Sequence, residues 1–177
     1  MKSLHILICL LWALAGTQYG CRQLPREGMV PEAAREREKA AIRRVIELET
    51  TAYYQQDFPT WRDTFLDTSY FRSYGYWEGY PEKVRVYNGF DALAAFKQKQ
   101  FVENRTLWQG SVEEKSNENF RIYPGVAWYT YDQVSYDRKT RKLLGKSVET
   151  RILEKHDGQW KIAYQSFHYL PLDTLAR

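Results

Sequence analysis

The chain predicts an α+β domain in which helices come first and an antiparallel sheet comes last. Three observations carry this. From Ala33 to Gln56 there is no Gly or Pro, and Ile42, Val45, Glu49, Ala52 and Gln56 recur at the three-and-four spacing of one helix face, flanked by Leu48 and Tyr53. Over the final seventy residues the period changes to two, in stretches 108–115, 119–123, 126–136, 146–155 and 159–168. The last two stretches are joined by Asp157-Gly158, a strong hairpin signal. Helices segregated from strands in this order pack on one face of the sheet.

The remaining elements follow in order. Pro31 stands where a helix start tolerates proline, and Asp57-Phe58-Pro59 ends the long helix and begins a second, about 59–66, that buries Trp61 and Phe65. Residues 70–76 and 83–87 are strand-like on either side of a loop holding Trp77, Gly79, Tyr80 and Pro81. Asn88-Gly89 is a turn, followed by a third helix to about Val102 with Leu93, Phe96 and Phe101 as apolar members. Pro124-Gly125 and a polar DRKTRK segment separate the later strands.

Composition agrees with one core. The 177 residues are 44% hydrophobic and 16% aromatic, with 14 Tyr, 8 Phe and 6 Trp. That much ring mass offsets the ordering entropy of a single domain and excludes collagen-like and wholly disordered classes. The net charge of +4 comes from 26 basic and 22 acidic residues that interleave along the chain, so no basic stripe points to nucleic acid, and no nucleic-acid partner is expected.

Residues 1–20 read as an export signal: Lys2, an apolar run from Leu4 to Leu14, then small residues. The run is too short for a bilayer-spanning helix. Two cleavage points stay open, after Ala13-x-Ala15 or just before Cys21, where Gly20 supplies the small preceding residue of a bacterial lipoprotein signal although Gln18 departs from its pattern. Cleavage removes Cys9 and leaves Cys21 as the lone thiol, either lipidated or free. The expected organisation is signal 1–20, tether 21–32, domain 33–172 and tail 173–177, in an exported, periplasmic or cell-surface protein whose membrane contact is a lipid anchor at Cys21.

The block ETRILEKHDGQWKI at 149–162 with Pro171 behind it, the start of the third helix at Gly89-Phe90-Asp91, and YYQQDFPTWRDTF at the end of the first helix resemble the nuclear transport factor 2-like superfamily, in its SnoaL-like and calcium/calmodulin-dependent kinase association-domain branch. The likeness covers about residues 33–172. It implies a conical fold, in which a strongly curved sheet wraps the long first helix and encloses a pocket, often with dimerisation through the outer sheet face. The superfamily holds isomerases, dehydratases, cyclases, adaptors and hubs, so fold does not settle function.

In the kinase association branch the basic pocket residues correspond to Asp132, Arg151 and Phe167 of this chain, and only Arg151 is kept in kind. The aromatic that closes that pocket corresponds to Phe101, and the pocket histidine to Leu93. In a ketosteroid-isomerase-like alignment Glu49 takes the place of the oxyanion-stabilising tyrosine, and the general-base position falls near Ser73, which argues against steroid isomerisation.

Alternation puts Trp128, Thr130 and Asp132 on one strand face, and Ser147, Glu149, Arg151 and Leu153 on one face of the next. An Asp132 facing Arg151 competes with any anionic ligand for the guanidinium, which favours a neutral or amphipathic one. Glu49 lies on an apolar helix stripe and needs a partner there, either as an acid/base group or in a structural ion pair with Arg151 or another cation. The three histidines, His5, His156 and His168, share no metal-ligand spacing, and no cofactor motif appears. Ser166 with His168 lacks an oxyanion motif, and Asn104-Arg105-Thr106 matches a glycosylation acceptor beside a bacterial-looking signal.

The expected pocket therefore comprises Glu49, Trp61, Phe101, Trp128, Asp132, Arg151 and Phe167, and takes a small apolar or amphipathic molecule. Two alternatives stand beside this: an isomerase, dehydratase or cyclase using Glu49 or Asp132 with Arg151, and an oligomeric module pairing through a face that carries Tyr129, Tyr131 and Gln133. A homodimer is expected.

Overall fold

A computed structural model describes residues 31–76, 83–103 and 110–171. The export signal, Cys21, the tether, the Trp77–Pro81 rim, Asn104, Trp108 and the tail fall outside the described residues.

Helix α1 (Glu32–Gln55) ends where Gln56 turns left-handed at φ 56° and returns its N–H to the Ala52 and Tyr53 carbonyls. Asp57 caps α2 (Phe58–Asp63), its side chain accepting from the Thr60 N–H at 3.2 Å. Strands β1 (Arg72–Tyr76) and β2 (Val84–Asn88) follow, then α3 (Phe90–Glu103). Gly89, at φ 82° and with the Ser69 backbone 3.8 Å from where a Cβ would stand, joins β2 to α3. Four long strands complete the chain: β3 (Ser111–Tyr123), β4 (Val126–Asp137), β5 (Leu143–His156) and β6 (Gln159–Leu170). Asp157 and Gly158, both at positive φ, make the tight turn between β5 and β6 that the sequence announces.

The sheet runs β2-β1-β6-β5-β4-β3, antiparallel except for the β1–β6 pair. Its register shifts between Ser116 and Asn119, between Ser135 and Tyr136, and between Ile152 and Leu153. Such irregularities raise local twist and curvature. The first also corrects the sequence reading: stretches 108–115 and 119–123 are not two strands, since Ser111–Tyr123 is continuous through a bulge at left-handed Asn117.

One aromatic core holds the helices to the sheet. Trp61, Phe65, Phe71 and Phe90 are all less than 5% exposed, with ring centres between 4.6 and 6.1 Å apart for the contacting pairs. The chain after α2 is tied to β6 by Leu66 N–H to the Ile162 carbonyl and by Ile162 N–H to the Thr64 carbonyl, both 2.9 Å. On α1 the buried stripe is Ile42, Ile46 and Ala52. Ile46 replaces Leu48 of the sequence reading; Leu48 is 45% exposed. Among the described residues no helix is long and apolar enough to cross a membrane.

Candidate functional site

A cavity of about 100 Å³ opens between the helices and the inner sheet face. Helix α1 contributes Glu49, Thr50, Tyr53 and Tyr54, α2 contributes Trp61, and α3 contributes Lys97. The sheet contributes Glu113, Gln133, Glu149 and Arg151 from β3 to β5, with Gln165, Phe167 and Tyr169 from β6. That volume holds several waters or a small ligand fragment.

The floor is a buried polar chain on β5. Residues two apart on a strand share a face, so Ser147, Glu149 and Arg151 all point inward. Ser147 Oγ donates to Glu149 Oε1 at 2.5 Å, and Arg151 Nη1 donates to Glu149 Oε2 at 2.9 Å and to the Ser166 carbonyl at 3.3 Å. The carboxylates of Glu149 and Glu49 hold the Arg151 guanidinium charged in spite of burial. Arg151 Nε and Tyr131 Oη are both buried without a hydrogen-bond partner among the described residues, and the guanidinium carbon lies 5.9 Å from the Tyr131 ring centre.

Glu49 is bound by Trp61, whose Nε1 donates to Oε1 at 3.2 Å. Sequence reasoning left Glu49 either as an acid/base group or in an ion pair with Arg151 or another cation; its direct partner is an indole N–H, and Arg151 forms its salt bridge with Glu149.

Glu113 is the most displaced acid. Burial pushes its carboxyl up to about 7, although Tyr54 Oη donates to it in a very short hydrogen bond and Ser135 Oγ donates at 3.3 Å. Burial and the Glu113 charge raise the Tyr54 phenol far above its ordinary value. A second hollow, about 300 Å³, lies on the other side of Glu113 between Arg43, Ile46, Glu47, Lys115, Glu118 and Tyr129. There Arg43 grips Glu118 through Nε and Nη2 at 2.8 to 3.0 Å.

Lys97 is the displaced base. Desolvation, with Arg85 nearby, lowers its ammonium to about 8 against the opposing pull of Glu49. Its Nζ donates to Gln100 Oε1 at 2.8 Å and stands 4.4 Å from the Tyr53 ring centre.

Of the seven residues expected in the pocket, Glu49, Trp61, Arg151 and Phe167 line it. Phe101 stands behind the wall, 6% exposed, packed on Tyr53, Phe58 and Trp61. Trp128 and Asp132 are corrected outright. The β4–β5 register sets Tyr129, not Asp132, opposite Arg151, and Asp132 opposite Val148. Trp128 is 55% exposed on the outer face, and Asp132 there accepts from Asn117 Nδ2 at 2.7 Å. Tyr129, Tyr131 and Gln133, expected on a pairing face, are the inward set. Ser73, aligned with the general-base position, is buried and accepts from Gln165 Nε2 at 2.9 Å.

Glu113, Lys97, Glu149 and Tyr54 were absent from the expected pocket. A signal for Lys97 existed: Leu93, Lys97 and Phe101 recur at intervals of four, which puts a lysine in the middle of an otherwise apolar helix stripe.

A curved six-strand sheet packed against one long helix and two further helices is matched widely among solved structures. A cystatin-like-fold protein of unknown function from Nostoc punctiforme superposes with TM-score 0.61 at 16% identity, over 76% of this chain and 92% of that one. An NTF2-like protein of unknown function from Pseudomonas putida gives 0.59 at 15%, over 78% and 92%. The chain has the nuclear transport factor 2-like fold. A candidate calcium/calmodulin-dependent protein kinase type II association domain from Thiobacillus denitrificans shares this fold with TM-score 0.55 at 9% identity, over 72% and 93%. These identities speak for the nuclear transport factor 2-like architecture and leave its use open. No family model matches the chain. No curated protein matches it either.

Proposed function

We propose that the cavity binds a small uncharged amphipathic molecule, polar end toward Glu49 and the Glu149–Arg151 pair, flat side against the rings of Trp61, Tyr53 and Phe167. The observation that carries this is the 2.9 Å salt bridge from Arg151 to Glu149. The neutralisation expected from Asp132 is supplied by Glu149 instead, so the guanidinium is already engaged when a ligand arrives. Three carboxyl groups, Glu49, Glu113 and Glu149, line the cavity against two cationic side chains, Lys97 and Arg151. An incoming carboxylate meets like charge, whereas a hydroxyl or amide meets carboxylate and amide acceptors. Titration of 4-methylphenol and of 4-methylbenzoate, followed by tryptophan fluorescence, tests the reading: the phenol is expected to quench and the benzoate not, and equal or inverted responses overturn it.

We further propose that two copies pair through the outer sheet face. Trp128, Ile152 and Tyr164 stand side by side across β4, β5 and β6, and Val126, Val148 and Tyr74 extend the patch. Apolar rows of this kind on a soluble surface favour association. For the N-terminus the reading remains export and lipidation at Cys21, supported by the apolar run and by the lone thiol left after cleavage. Cys21→Ser is expected to release the protein from the membrane fraction; unchanged retention defeats that reading.

A further inference from the structure

We propose that Lys97 is a nucleophilic amine that condenses with a small aldehyde or ketone in the cavity to form an imine. This deepens the binding reading and rests on the cavity admitting small molecules.

Lys97 reaches the cavity wall from the apolar stripe of α3. Its contacts are a neutral amide oxygen, Gln100 Oε1 at 2.8 Å, and two rings, Tyr53 at 4.4 Å and Phe96 at 5.8 Å. Arg85 lies over the same Phe96 ring at 5.1 Å, so a like charge faces the ammonium from β2. Desolvation, a common route to an activated amine, is the main cause of the lowered ammonium; Arg85 adds a smaller push that the opposite pull of Glu49 outweighs. With the ammonium lowered to about 8, about a tenth of the chains carry a free lone pair at neutral pH, several hundred times the share of an ordinary lysine.

The cavity also supplies the acid that the condensation needs. The Nζ lone pair attacks the carbonyl carbon, a C–N bond forms, and the carbonyl π pair moves to oxygen. That oxygen takes a proton from the new ammonium, giving a carbinolamine. A protonated carboxyl then gives its proton to the hydroxyl, water leaves, and the nitrogen lone pair closes the C=N bond. The proton lost from nitrogen returns to the carboxylate, so amine plus carbonyl gives imine plus water with no oxidant or reductant. Glu113 also lines this cavity, and burial holds its carboxyl near 7, where it can both give and take a proton. Glu49, whose charge acts on Lys97, favours the cationic iminium. The walls select an uncharged carbonyl compound with a flat body, stacked among Tyr53, Trp61 and Phe167.

The test treats the intact protein with benzaldehyde and cyanoborohydride, which reduces any imine to a stable benzylamine, and maps the label by peptide mass spectrometry. Fluorescence titration with 4-methylphenol runs in parallel. Lys97 is expected to label at least about tenfold faster than Lys99, which is 75% exposed on the same helix. Excess 4-methylphenol is expected to slow that labelling. Quenching by the phenol with labelling spread evenly over the lysines overturns the imine and leaves the binding reading standing. Absence of both quenching and Lys97 labelling overturns both. Lys97→Arg is expected to lose the label and Gln98→Ala, at an exposed position of the same helix, to keep it, each with an unchanged circular dichroism spectrum; the wild-type map decides even if either variant misfolds.

Discussion

Glu149 and Arg151, two residues apart on β5 and both inside the sheet, form a salt bridge of 2.9 Å whose acid is held from its other side by Ser147 at 2.5 Å. Both side chains are less than 10% exposed. A buried pair of this kind is weak evidence for stability but breaks expensively, because removing one partner strands the other's charge. Glu149→Gln is expected to lower the unfolding free energy by about 3 kcal/mol, and Glu149→Gln with Arg151→Met to recover most of that loss. Urea denaturation of the two variants checks this.

Glu113 makes stability fall as pH rises. Its carboxyl sits near 7 in the folded chain and near 4.5 when unfolded, so between those values the folded state holds more protons. The stabilisation is complete below 4.5 and lost by about 7, at a cost of about 3 kcal/mol. Glu113→Gln, which still accepts from Tyr54, is expected to be the more stable protein at pH 8 by about 2 to 3 kcal/mol and to flatten this limb in urea melts taken at stepped pH.

Lys97 acts with the opposite sign. Its folded value near 8 lies below the unfolded 10.5, so the folded state holds fewer protons in that window and stability rises with pH through it. The two groups together place a stability minimum between about pH 7 and 8. Lys97→Met is expected to abolish the alkaline rise and to gain about 1 to 2 kcal/mol at neutral pH, after loss of the Gln100 hydrogen bond. Thermal melts from pH 7 to 10.5 measure it.

Trp61→Phe keeps a ring in the core and removes the only N–H that binds Glu49 in the described contacts. A loss of about 1 to 3 kcal/mol is expected, together with weaker quenching by 4-methylphenol. Glu49→Gln keeps the acceptor and is expected to fold with near-normal stability.

The proposed pairing face carries Trp128 and Asp132, the set that the sequence reading turned toward the pocket. If copies pair as proposed, sedimentation velocity finds the parent as a dimer and Trp128→Lys as a monomer, with phenol binding unaltered. Asp132→Asn, on the same face, is expected to stay within about 0.5 kcal/mol of the parent and to bind phenol equally.

The order of elements, the helix break at Asp57, the Asp157-Gly158 turn and the inward face of β5 were all legible in the residues, because each rests on local chemistry: spacing, a cap, a positive φ. Alternation also grouped Trp128 with Asp132 correctly. What it left undetermined was which set faces in, since β4 carries rings on both sides: Trp128 outside, Tyr129 and Tyr131 inside. Cross-strand register decides that, and register depends on bulges such as the one between Ile152 and Leu153, which no period of two reveals. Glu113 and Lys97 look like ordinary charged residues in the chain. Packing of the sheet against α1 and α3 half-buries both, and desolvation, a property of the surrounding atoms and not of the residues themselves, makes them a displaced acid and a displaced base lining one cavity.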